Sequence, residues 1–214
     1  MKKVILYGVT LLSFVTLTAC STTNKQQTQK NQTTSNSSPT TVTKKDDMEV
    51  KNGLLTKVGQ WTKTADLGKI TLLKIMDKPT KIQLTDGLTT TIESVKLFHA
   101  DNITEFNSAL IRTDKKSGNY VQIIASVENN TENEYKSIFP ETIVLSNGIQ
   151  IKHNRSFSTS TEVKPHAKNL NMLYFYFIDD QTPDSLRLYY DSITDEKGYN
   201  INEIKAETMI NFNK

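Results

Sequence analysis

Cysteine is nearly absent. Cys20 stands alone in 214 residues, so the chain can close no disulfide within itself and keeps no thiol for a metal site or nucleophile in the part expected to fold. Glycine is scarce as well, with eight residues, none of them in a Gly-x-Ser-x-Gly elbow or a phosphate-cradling loop. His-Glu-x-x-His and Ser-x-x-Lys are missing too. Neither charge dominates: 26 Lys and Arg face 23 Asp and Glu, a formal +3, which argues for neither nucleic acid nor a strongly charged substrate. No apolar run reaches the roughly 20 residues of a membrane-spanning helix. No catalytic residue, metal or cofactor is expected, and the chain reads as something other than an enzyme.

What is present begins at the N-terminus. Basic Lys2 and Lys3, an apolar core from Val4 to about Val15 and small residues up to Ala19 divide as a secretory signal does. Leu17-Thr18-Ala19-Cys20 resembles the lipobox of bacterial lipoproteins, in which the Cys thiol receives a diacylglyceryl group before cleavage frees its amine. On that resemblance residues 1–19 are a signal peptide and Cys20 is the lipidation site. Two acyl chains of the palmitate kind anchor stably where one would be marginal. The competing reading is a secreted protein whose only thiol falls by chance at the cut. Cleavage removes two lysines and no acid, leaving a formal +1. The abundance of Asn, Lys, Thr and Ile suggests an AT-rich genome and, with the lipobox, a Gram-positive bacterium. The expected place is the extracytoplasmic face of the cell membrane.

Residues 20–52 are Ser, Thr, Asn, Gln and Lys with few apolar side chains, a composition that buries too little to offset its ordering entropy. They read as a disordered linker. Residues 53–214 suit a single domain, and its punctuation is all-β. Strands are expected at Gly68 to Met76, Lys81 to Leu84, Leu88 to Phe98, Tyr120 to Asn129, Thr142 to Leu145, Ile149 to Lys152, Phe157 to Val163, Leu170 to Ile178, Ser185 to Tyr190 and Tyr199 to Ile204. Asn147-Gly148 between two β-branched runs is the strongest hairpin signal, and Asp86-Gly87 marks another turn. One short helix is predicted, capped by Asn102 with Glu105 reaching back, and Ile103, Phe106 and Leu110 on its buried face.

A hairpin of Leu170–Ile178 with Ser185–Tyr190 around Asp179–Asp184, with Ile178 opposite Ser185, would gather Leu173, Phe175, Phe177, Leu186, Leu188 and Tyr190 on a core face. The opposite face would carry Tyr174 across from Tyr189 and Tyr176 across from Arg187. Such pairs stabilise a sheet, and Tyr and Arg are also the residues of binding hot spots. Tyr174, Tyr176, Arg187 and Tyr189 are thus the candidate partner-binding residues. The plainer reading is an aromatic ladder covered by another segment.

Three stretches carry a further resemblance: Tyr120 to Thr131, Ile143 to Gly148, and Val163-Lys164-Pro165 with Leu173 to Phe177 and Leu186 to Tyr190. Together they resemble immunoglobulin-like domains of Gram-positive surface lipoproteins of unknown function. Pro165-His166 stands where that pattern would have a Gly. The resemblance implies an immunoglobulin-like β-sandwich with a binding role, outside the cytoplasm. Other candidates are weaker. His99, His153 and His166 lack metal-ligand spacing. Asp179, Asp180 and Asp184 could offer oxygens to Ca²⁺, but a hairpin loop rich in Asp and Pro needs no metal. Asp191, Asp195 and Glu196 read as a solvated turn. Trp61, expected before the first strand, reads as a plug at one end of the sandwich. The expected function is a membrane-anchored surface lipoprotein binding a protein partner. A small-ligand or glycan-binding accessory is the alternative, and a pheromone released from Leu12–Ala19 of the signal is a third idea.

Overall fold

The computed structural model describes residues 48–105, 113–152, 156–158, 162–191, 193–201 and 205–212. They are predominantly β, with almost no helix. The strands are β1 (Trp61–Thr64), β2 (Gly68–Met76), β3 (Thr80–Thr85), β4 (Leu88–Ala100), β5 (Gly118–Asn129), β6 (Tyr135–Lys136), β7 (Thr142–Leu145), β8 (Gln150–Lys152), β9 (Ser156–Ser158), β10 (Ala167–Phe177), β11 (Ser185–Tyr190), β12 (Thr194–Asp195) and β13 (Ala206–Asn211). A large antiparallel sheet runs β1-β2-β4-β5-β10-β9, with β3 also on β4. A smaller sheet runs β13-β11-β7-β8, and β6 pairs with β12.

The long strand β4 serves two neighbours on one edge, β3 along Leu88–Ile92 and β2 along Val95–Ala100. Between them its register against β5 slips at Glu93, whose carboxylate accepts the Ser126 hydroxyl at 2.7 Å. One extra residue reverses the phase of every side chain beyond it. Leu88 and Ile92 face the core before the slip, and Val95 and Leu97 after it. Opposite them on β5 stand Val121, Ile123 and Ala125. From the smaller sheet come Leu186, Leu188 and Tyr190 of β11, Ile143 and Leu145 of β7, Ile151 of β8 and Ile210 of β13, all in the same apolar cluster. The two sheets thus share one core.

The face of β2 and β4 turned from that core has a cover of its own. Residues 48–60 form a strap along the edge strand. The Val50 N–H donates to Trp61 O at 2.8 Å, Trp61 N–H to Met48 O at 3.0 Å, and Gly59 N–H to Leu72 O at 2.8 Å. The strap buries Leu55 against Ile70, Leu72 and Phe98. The Lys96 ammonium, otherwise enclosed, donates to Leu55 O at 2.7 Å. Burial lowers the Lys96 pKa, since an enclosed cation loses hydration that one carbonyl replaces only in part.

Several expectations are corrected. The strands of the expected hairpin do not pair: β10 lies between β5 and β9 in the large sheet, and β11 between β7 and β13 in the small one. The segment Asp179–Asp184 crosses from one sheet to the other, pinned by Lys115 to Asp180 at 2.8 Å and by Lys74 to Asp184 at 2.6 Å. Trp61 opens β1 rather than preceding the strands. Among the described residues Tyr199–Ile201 is not a strand, whereas the unexpected β13 is. The predicted helix falls mostly on residues 106–112, outside the described residues, as do 159–161 of the expected Phe157–Val163 strand. Asn147-Gly148 does close the β7–β8 hairpin, with Gly148 at φ 85°. His166, in the place where glycine was expected, takes the left-handed φ of 51° itself.

Candidate functional site

Tyr174 and Tyr176, two of the four predicted partner-binding residues, lie in the core at 1% and 0% exposure. On β10 they stand opposite Ile123 and Val121, on the inward face. A buried hydroxyl needs a partner, and both find one on the segment leading into β7. Tyr174 donates to Ile138 O at 2.6 Å, and Tyr176 to Pro140 O. Burial pushes both phenols far above the usual tyrosine range. They join the sheets and cannot meet a partner. The expected ladder of Tyr174 with Tyr189 and Tyr176 with Arg187 does not form, since β10 and β11 do not pair; a different aromatic row, Phe98, Tyr120 and Phe175, runs across β4, β5 and β10 on the opposite parity, with ring centroids 5.2 and 6.3 Å apart.

Arg187 keeps the expected exposure, Tyr189 is half-buried, and both gain different neighbours. Directly opposite residues of paired strands share a face. Leu186, Leu188 and Tyr190 point inward, so Arg187 and Tyr189 point outward together with Met209 and Glu207 of β13 and Val144 and Thr142 of β7. Gln150 and Lys152 of β8 complete the grid opposite Val144 and Thr142. Arg187 Nη1 donates to the Tyr189 hydroxyl at 3.3 Å. That bond, with Glu207 nearby, holds the guanidinium charged. Met209 is 48% exposed in the middle of the edge strand, beside Arg187. At one end of the face a recess of ≈ 420 Å³ opens between Tyr189, Asp191, Lys205 and Glu207.

This face lacks a layer over it among the described residues, and its make-up is that of a docking surface: an aromatic, an arginine, a methionine and a valine, with polar groups around them. Sequence reasoning missed Val144, Glu207 and Met209. The signal for β13 was legible, since Ala206, Thr208 and Ile210 alternate with Glu207, Met209 and Asn211.

Near the recess, Glu141 packs beside Asp191. Burial first, then the neighbouring carboxylate, pushes Glu141 above its ordinary range. The other candidates are dispersed. His99 Nδ1 meets Asn119 Oδ1 at 2.8 Å, and its Nε2 meets Asp101 at 3.2 Å. His166 Nε2 lies 2.9 Å from Glu132. Asp180 and Asp184 turn to different lysines, and no cluster of three or more His, Cys, Asp or Glu suited to a metal occurs among the described residues. Asp195 Oδ1 accepts the N–H groups of Lys197 and Tyr199, which makes its turn self-contained. Trp61 carries Lys69 and Lys63 over its ring, at 4.7 and 5.9 Å from the centroid. Cys20 and His153 lie outside the described residues.

No family model and no curated protein matches the chain. Among solved structures it is similar to the crystal structure of a functionally unknown protein from Listeria monocytogenes EGD-e. The identity is 13%, the match covers 67% of this chain and 86% of that one, and the TM-score is 0.48, a likeness that carries no argument about function.

Proposed function

We propose that this chain is a lipid-anchored extracytoplasmic protein that acts by binding a protein partner through the outer face of its smaller sheet. The observation that carries the proposal is the outward-facing grid of Arg187, Tyr189, Met209 and Val144, which no layer covers among the described residues, on strands whose alternate residues are locked into the core. Such a face is rigid before it binds, which lowers the ordering cost of association. The lipobox-like Leu17-Thr18-Ala19-Cys20 supports the anchor, and the polar stretch up to residue 47, where the strap begins, supports a linker that gives the domain reach. Two antiparallel sheets closed on one core support the finer reading of the domain as an immunoglobulin-like sandwich.

A photo-crosslinking residue placed at Tyr189 in intact cells tests the binding face. One protein adduct is expected there, none from the same probe at exposed Lys168 on the other sheet, and loss of the adduct when Arg187→Ser is added. No adduct at Tyr189, or the same adducts at both positions, would overturn the assignment. Release of the protein from membranes by Cys20→Ala tests the anchor separately. The second reading, a glycan-binding accessory, draws on a polar cleft of ≈ 650 Å³ lined by Glu132, Asn133, Glu134, Asp195 and Lys197.

A further inference from the structure

We infer that the strap and edge strand β1 form a contact surface for an anionic lipid membrane. Leu55 fills the hydrophobic duty of the strap by packing on Ile70, Leu72 and Phe98. Its neighbours Leu54 and Val58 do not: they stand 78% and 52% exposed, within a five-residue stretch. Val58 also borders a cleft of ≈ 550 Å³ lined by Leu73 and Phe212, so apolar surface continues beyond the strap. The same stretch of chain, Glu49 to Lys69, carries Lys51, Lys57, Lys63 and Lys69 against only Glu49 and Asp66, a surplus of two positive charges. Trp61, half-buried on the edge strand, has two of those ammonium groups over its ring.

Exposed aliphatics flanked along the chain by lysines, with a half-buried tryptophan under two of them, match the headgroup region of an anionic bilayer. The aliphatics reach the acyl boundary, the indole sits at headgroup level, and the lysines meet phosphates. The place of this surface in the chain selects lipid over a protein partner. It is the first described segment after the polar stretch that follows Cys20. This step rests on the anchor proposed above. A linker of that length spans about 30 Å when relaxed, so the strap meets the headgroups at high local concentration and weak contacts suffice. Docking through an edge of the large sheet leaves the Arg187 face on the other sheet free for its partner.

The test uses the mature chain from Ser21 onward, without its acylated cysteine, so that failure of the anchor and failure of the surface are read apart. Vesicles of phosphatidylcholine with an equal part of phosphatidylglycerol are compared with pure phosphatidylcholine in a sedimentation assay. Binding to the anionic vesicles is expected, weakening as salt rises. Lys57→Gln with Lys63→Gln and Lys69→Gln should lower the partition about a hundredfold, at roughly fivefold per lysine. Leu54→Ser with Val58→Ser should also lower it, and the binding left behind, carried by the lysines alone, should be more salt-sensitive. Because Trp61 is the sole tryptophan, its quenching by brominated lipid reports whether this edge faces the bilayer. Absence of vesicle binding, equal binding to both vesicles, unchanged partition of the lysine variant with native circular dichroism, or bound protein with unquenched Trp61 would overturn the inference. So would a single protein adduct from a photo-crosslinker at Val58 in cells.

Discussion

Three buried tyrosines separate what a hydroxyl contributes from what a ring contributes. Tyr174 and Tyr176 each satisfy a carbonyl that leads into β7, whereas the Tyr190 hydroxyl, fully enclosed near Thr90, has no hydrogen bond of acceptable geometry. Removing a hydroxyl that serves a buried acceptor costs about 1–3 kcal/mol, while removing an unpaired one relieves a desolvation penalty. Tyr174→Phe and Tyr176→Phe should therefore each destabilise by about 1–2 kcal/mol in urea unfolding. Tyr190→Phe should be neutral or stabilising. Glu141 supplies a pH dependence. Its pKa is raised in the folded chain, chiefly by burial, so the native state holds a proton that the unfolded state releases earlier. Its contribution is intact below the ordinary carboxylate pKa and is lost as pH rises through the raised value. Glu141→Gln should be indistinguishable from the parent in acid and gain stability relative to it across that window, as read by thermal unfolding at a series of pH values.

At the level of elements, the strands with clean alternation were legible, and β2, β7 and β11 begin and end where the pattern predicts. The pairing of β10 was not, because Leu173-Tyr174-Phe175-Tyr176-Phe177 is aromatic or aliphatic on both faces and gives no phase. What decides it is a segment with no periodicity, Ser137–Glu141, whose carbonyls receive the two phenols. The strands β6 and β12, two residues each, are too short for any periodicity to mark. The turns divide in the same way. Gly87 and Gly148 both need φ near 80°, but a Cβ on Gly87 would come within 2.7 Å of Thr131 Cγ2, whereas one on Gly148 meets open space. Gly148→Ala should cost about 1–2 kcal/mol, the left-handed penalty alone, and Gly87→Ala more, with the β3–β4 hairpin losing amide protection first.

Over the whole molecule, the candidate site was half legible for one reason. The outward-facing pair Arg187 and Tyr189 follows from alternation within a single strand, which sequence carries. The assignment of Tyr174 and Tyr176 required knowing which strands share a sheet, which depends on a crossing between Asp179 and Asp184 that looks locally like a hairpin loop. The alternation along β11 has a consequence for descent. Positions 186, 188 and 190 answer to the core, and positions 187 and 189 answer to whatever lies outside. A lineage can therefore exchange one partner for another by drift at the odd-numbered positions of this strand and their neighbours on β7 and β13. The fold itself imposes almost no selection against such exchanges, so related chains should diverge fastest on this face and slowest one residue away from it.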